Sequence, residues 1–364
     1  MTTASIAGGG VVRVGQSLAS PEIALALAAI KSLYNGGGYT HDYISTSNPQ
    51  VVDTTTPNTF NVYNPSPASS ETTTPTFTLN ASSQVLFEGI SQPSGKPVAD
   101  GAILVGHAGP ELIISDNSPD VIDSGGGSGT VISGSGADTV NASGGPLDIV
   151  TGSGKDTVNL TGGVFTVQAY GKDTVNITSG ANTVTSASNL LINVSASATA
   201  SLMLSGNDTI SYGSSSDTVK TLGSATVVGT SSGVQVTEGS GLDTTRVGTL
   251  AATLIGGTGA SSLVGGSLAN LFEGGGGGDT MVASKAAGAL NTFQFTQGVG
   301  GSYTIQNFVN GSHDHIHLVG YGSSNITDIS SQNIVGGNLD VTLSDGAQLT
   351  LVGYSHLLTN GNFN

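Results

Sequence analysis

The sequence predicts an all-β chain whose main body is a parallel β-roll, or β-solenoid, of about ten coils. Three observations carry this expectation. A three-residue signature, read as Asp138-Thr139-Val140, Asp156-Thr157-Val158 and Asp173-Thr174-Val175, returns about every nine residues from Asp120 to Met281. Its third place is apolar in 18 of 19 units. Gly supplies 56 of the 364 residues, much of it at turn spacing, while only 9% of the chain is charged. A short fixed period means stacked units. Nine residues hold one strand and one tight turn, so two units close an ~18-residue coil whose strands lie about 4.8 Å from those of the next coil.

Taken in order, residues 1–45 form an N-terminal segment with one short helix. Ser20-Pro21-Glu22 offers an N-cap, a Pro at the first helical position and an acid in the first turn. Ile23, Leu25, Leu27, Ile30 and Leu33 follow, and Gly36-Gly37-Gly38 ends the run, so a helix is expected over about 21–35. Its apolar residues dock on the body of the protein or on a neighbouring chain. Residues 46–100 are rich in Thr, Ser, Asn and Pro, with strand-like islands at 59–63 and 76–79. Pro at 49, 57, 65, 67 and 75 confines these to edges or loops, and an irregular linker or β interaction segment is expected. Stronger strands at 84–87 and 102–105 lead into the roll, assigned to 101–285.

Within the roll the inward ladder reads Ile122, Val131, Val140, Val150, Val158, Val167 and onward to Phe272 and Met281, broken only at Thr245. The middle place is Thr in 12 of the 19 units and faces out. Such a row is either β-propensity on a solvated face or a hydroxyl array that meets ice, sugar or another copy of the protein. Pairs such as Gly134/Gly136, Gly152/Gly154, Gly239/Gly241 and Gly275/Gly277 fall where a turn needs positive φ or a close approach of backbones. Alternate units sort the first place of the signature onto two edges. One edge carries Asp120, Asp138, Asp156, Asp173, Leu190, Asp208, Ala225, Asp243, Ser261 and Asp279. The other carries Gly129, Asp148, Phe165, Asn182, Ala200, Asp217, Val234, Ala252 and Asn270.

Charge and motifs narrow the function. A formal charge of −16 repels nucleic acid phosphates and anionic membranes, so neither is an expected partner, and divalent cations are the natural counter-charge. The chain has no Cys, hence neither disulfides nor thiol chemistry. No apolar run reaches the roughly 18 residues of a membrane span, and the N-terminus lacks the basic and apolar regions of a cleaved leader. Neither H-E-x-x-H nor G-x-S-x-G occurs. Asp243 with Arg246 is the sole acid-base pairing in the later repeats, so no enzymatic role is expected.

Residues 256–263, 265–272 and 274–281 resemble three consecutive nonapeptides of the RTX (repeats-in-toxin) family, G-G-x-G-x-D-x-U-x. The segments 291–295, 300–308, 314–318 and 337–346 are similar to the capping region that follows such repeats, which places a C-terminal β cap at 286–364. The resemblance covers roughly 101–364 and implies Ca²⁺ held between adjacent coils by turn carbonyls and Asp carboxylates. The matching candidate ligands are Asp120, Gly136, Asp138, Gly154, Asp156, Asp173, Asp208, Asp243, Gly277 and Asp279. Seven of the ten residues on the first edge are Asp, so any calcium row is expected there, strongest between Asp120 and Asp173. The alternative is a solenoid that has given up calcium, with Lys155 and Lys172 neutralising the ladder in place of an ion. His313, His315 and His317 alternate along a strand and share one face, either plainly solvated or a transition-metal site.

The resemblance also implies export from a Gram-negative cell through a type I secretion apparatus, using an uncleaved C-terminal signal, to the extracellular space or cell surface. The resulting expectation is a secreted structural protein that self-assembles into a surface layer, filament or biofilm matrix, with residues 1–100 making the contacts between copies. Its partners would be itself and cell-surface polysaccharide. The alternative is a monomeric Ca²⁺-dependent adhesin or carbohydrate binder, and a polysaccharide-modifying enzyme stands third.

Overall fold

The computed structural model describes residues 103–115, 119–134, 136–213, 217–229, 234–248, 251–286, 288–310, 313–323 and 325–364. It also describes the backbone of strands Thr2–Ser5, Val11–Val14, Thr40–Ile44, Thr59–Tyr63, Thr76–Thr78 and Val85–Glu88. The predicted helix over 21–35 lies outside the described residues, as does most of the 46–100 segment. The fold is a parallel β-solenoid of about ten coils. Helix is limited, among the described residues, to two single 3₁₀ turns at Ile326–Asp328 and Asn360–Asn362, and none is long and apolar enough to cross a membrane.

Two compact units divide the chain, Met1–Leu191 and Ile192–Asn364. In the first, successive half-coils alternate between two parallel sheets. One runs Pro110–Ile114, Ser128–Ile132, Pro146–Val150, Val164–Ala169 and Gly180–Ser186. The other runs Ile103–Val105, Val121–Asp123, Thr139–Ser143, Thr157–Thr161 and Thr174–Ile177. Strands of the segment expected to be a linker or β interaction segment join this body: Thr59–Tyr63 pairs in parallel with Val85–Glu88, which pairs with Pro110–Ile114, and Thr76–Thr78 pairs with Ile103–Val105.

The second unit repeats the build. Ala198–Leu204, Thr218–Thr221, Gln235–Thr237, Thr253–Ile255, Leu271–Glu273, Thr292–Thr296 and His315–Val319 form one sheet. Asp208–Tyr212, Ala225–Gly229, Thr244–Arg246, Ser262–Val264, Thr280–Val282, Ser302–Gln306 and Gln348–Val352 form the other. Parallel pairing therefore continues past residue 285 into the C-terminal segment. It ends where Gln348–Val352, Asn338–Leu343 and Ile329–Val335 turn antiparallel.

Side chains of alternate residues point into each coil, and those of equivalent residues stack from coil to coil. Val140, Val158 and Val175 are in register and fully buried, as are Leu254 with Phe272 and Leu263 with Met281. Phe272 and Phe293 stack with ring centroids 5.1 Å apart. The interior is narrow, so one inward residue per strand and its flanking neighbours fill it, which is why the third signature place tolerates so little variation.

Candidate functional site

The Asp places converge on one structural device. Each begins a strand, just before the backbone ladder takes over, and its own N–H needs an acceptor. The next coil supplies it. Asp120 N donates to Asp138 Oδ1 at 2.8 Å, Asp138 N to Asp156 Oδ1 at 2.8 Å and Asp156 N to Asp173 Oδ1 at 2.9 Å. In return Thr157 N donates to Asp138 O and Thr174 N to Asp156 O, both at 2.8 Å. Neighbouring coils are thus clasped twice at this corner. Asp138, Asp156 and Asp173 are each 1% exposed.

The clasp recurs on both edges. Ser261 N donates to Asp279 Oδ1 at 3.0 Å and Ala225 N to Asp243 Oδ1 at 2.6 Å on the first. On the second, Ala200 N meets Asp217 Oδ1 at 2.8 Å, Phe165 N meets Asn182 Oδ1 at 3.2 Å and Asn291 N meets Asp314 Oδ1 at 3.1 Å. Asn270 N and its Nδ2 both reach Asn291 Oδ1, at 3.3 and 2.9 Å. One acceptor oxygen is all the clasp needs, so Asn serves where Asp does. Burial, partly offset by these hydrogen bonds, holds the carboxyls of Asp173, Asp243 and Asp279 above the usual range. Asp208 is buried at the equivalent place.

Asp148 does not belong to this set. The pairing of Gly129 with Leu147, and of Leu147 with Phe165, puts Leu147 at the signature's first place. Asp148 pairs with Thr130 and Thr166 on the exposed face, and Ile149 rather than Val150 stands between Val131 and Val167. The sequence allowed units of eight to ten residues there, and two adjacent apolar residues left the choice open. The spacing of 18 residues from Gly129 to Leu147 and again to Phe165 resolves it.

Gly at the turns answers mainly to the neighbouring coil. A Cβ on Gly154 would lie 1.5 Å from Gly136 O, on Gly277 1.7 Å from Gly259 O and on Gly257 1.6 Å from Gly239 O. Of the four pairs named from sequence, only Gly134 has a positive φ, 81°.

Two buried glutamates were not singled out from sequence. Glu238 is 4% exposed and its Oε1 accepts from Thr245 Oγ1 at 2.6 Å. Burial, with the charges of Asp243 and Asp279 adding to it, pushes Glu238 up to about 7 despite the hydroxyls of Ser261 and Thr245. Thr245, the one polar residue in the inward ladder, is therefore the partner of a carboxyl seven residues earlier in sequence. Glu111 stands at the clasp position opposite Gly129 and turns back to accept from His107 N at 2.9 Å. Burial, reinforced by the charge of Asp123, pushes it up to about 8. The signal was present: each Glu falls on an inward phase of a period-two pattern.

The calcium expectation can be tested against these donors. Ca²⁺ takes 6–8 oxygens. Asp173 already accepts from Asp156 N, Thr151 Oγ1 at 2.7 Å and Gly171 N at 3.2 Å. Asp279 accepts from Ser261 N and Gly275 N. The turn carbonyls are engaged too: Gly154 O accepts from Lys172 N, Gly239 O from Thr258 N and Gly277 O from Ser302 N, at 3.2, 2.9 and 3.3 Å. At Asp173 and Asp279 the carboxylates are thus already engaged in hydrogen bonds, whereas Oδ2 of Asp138, Asp156 and Asp243 is buried and accepts none from the described residues. Among the described residues no three His, Asp or Glu are grouped to hold a metal, the half-buried His313, His315 and His317 included. Nor do Lys155 and Lys172, both exposed, form ion pairs with the ladder.

Compared with known proteins, the chain matches no family model and no curated protein.

Proposed function

We propose that this is a secreted, non-enzymatic structural protein of the RTX kind that assembles with copies of itself into a layer, filament or matrix. The observation that carries the reading is the terminal strand Ile329–Val335. It is the last strand of its sheet, its sequence ISSQNIV has neither charge nor Pro, and Ile334 and Val335 are 50% and 58% exposed. Monomeric proteins blunt such edges with charge, Pro or a covering segment, because an open row of N–H and C=O groups pairs with another chain. The first unit also suits a building block. Its outer face carries rows of Thr139, Thr157 and Thr174 beside an amide ladder in which Asn159 and Asn176 each donate to the preceding Asn at 2.9 Å.

Electron microscopy of the full-length chain tests the proposal, with Ile334→Lys/Val335→Lys as the variant. Ordered polymers from the parent and soluble monomers from the variant are expected. A parent that stays monomeric would instead favour the adhesin reading. Calcium enters as a variable of the same experiment. Indifference of assembly and of β-sheet circular dichroism to chelator accords with hydrogen-bonded clasps, whereas collapse on chelation would restore the ion to the coil edge.

A further inference from the structure

Five basic side chains lie among the described residues: Lys155, Lys172, Lys220, Arg246 and Lys285. Lys155 and Lys172 hold the same place in successive coils, each just before a clasping Asp, with Thr157 paired to Thr174 behind them. Both are exposed, and neither forms an ion pair among the described residues. The adjacent carboxylates turn away from them, beneath the edge, into the bonds from Asp138 N and Asp156 N.

The two lysines line an open groove of about 800 Å³. Its floor is bare for a packing reason. A side chain on Gly171 would strike Gly154 O at 2.1 Å, and one on Gly154 would strike Gly136 O, so close coil stacking strips this corner of side chains and leaves a trough across the coils. Tyr170 stands in the lining, half-buried. Its backbone is fixed on both sides, the N–H donating to Thr151 Oγ1 at 3.3 Å and the carbonyl accepting from Ser188 Oγ at 2.6 Å.

We propose that this groove binds an acidic polysaccharide laid across the coils, its carboxylates against Lys155 and Lys172 and one sugar ring against Tyr170. The spacing favours a polymer, since equivalent residues recur about every 4.8 Å from coil to coil. A flat aromatic body with a polar tip suits a sugar face, and two long ammonium stems can follow charges that repeat at sugar rather than coil spacing. Two lysines suit widely spaced carboxylates rather than a polyphosphate, which needs many cations to hold each of its closely set charges. The groove lies within one unit, so the proposal stands whether or not the protein polymerises. Polymerisation would raise apparent affinity by presenting many grooves to one strand.

Affinity electrophoresis of the full-length chain, in chelator and at low salt, tests it with polygalacturonate as the probe and neutral dextran and oligothymidylate as comparisons. The expected result is retardation by polygalacturonate alone, weakened about tenfold or more by Lys155→Ala/Lys172→Ala. Tyr170→Ala should weaken it as well. Lys220→Ala/Lys285→Ala makes the same charge change elsewhere and should retain binding. Circular dichroism checks that each variant is folded, and light scattering follows assembly separately, so that loss of one does not imply loss of the other. Equal retardation by dextran, stronger retardation by oligothymidylate, or equal losses in the two double variants would overturn the assignment.

Discussion

Asp156 illustrates how one atom decides between two readings of a residue. Its Oδ1 receives Asp138 N, so Asp156→Asn keeps the acceptor and should leave stability nearly unchanged. Asp156→Ala leaves that N–H buried and unmet, at a cost of about 1–3 kcal/mol. Urea unfolding of the two variants checks this, and an equal loss in both would trace the effect to the charge instead. The sequence marked Asp156 and its equivalents but not their task, because a carboxylate capping a neighbouring coil and one holding a cation ask for the same residue at the same interval. Asn182 and Asn291 accept the same amide on the other edge, so the capping task by itself does not require a charge. Glu111 yields a pH prediction. Burial raises it from an ordinary 4.5 to about 8, so between those values the unfolded chain has released a proton that the folded chain keeps. Stability contributed by this group is then present below pH 4.5 and lost as pH rises toward 8. Glu111→Gln should flatten that part of the stability profile measured by urea unfolding across pH.

At the scale of turns and strands, the solenoid distinguishes two kinds of Gly. In Gly154→Ala the new methyl meets the carbonyl of Gly136, main chain that cannot step aside, and the coils must separate. Gly162 has a φ of 76° and nothing nearer than Ser179 Oγ at 4.0 Å, so Gly162→Ala should cost only the roughly 1–2 kcal/mol of a left-handed residue. A markedly lower urea midpoint for Gly154→Ala than for Gly162→Ala is the expected outcome. The strands of the roll were legible because an inward residue every half-coil leaves a strong periodic mark. What failed was local phase at Asp148, where Ile149 and Val150 are both apolar and only pairing with Val131 and Val167 chooses between them. Composition also understated 46–100. Pro at 57, 65 and 75 falls outside the strands Thr59–Tyr63 and Thr76–Thr78, so it does not interrupt their parallel pairing.

Across the whole molecule, stability should be close to a sum over coils and the contacts between neighbours. Removal of one full coil, Asp138 to Lys155, joins Ala137 to Asp156. Asp120 N then faces another Asp Oδ1, and every outward residue stays outward. Such a deletion should fold, with β-sheet circular dichroism scaled to its length. Deleting nine residues instead exchanges the two sheets for every later strand and should abolish cooperative unfolding. The clasp has one more property. Its side-chain oxygen always belongs to the later coil and its amide to the earlier, so the stack has a direction. A stack parted between coils would show two unlike ends at this corner, one with main-chain amides lacking their side-chain acceptors and the other with side-chain acceptors lacking those amides. Such ends are complementary to each other and not to themselves, so parted pieces can rejoin only head to tail.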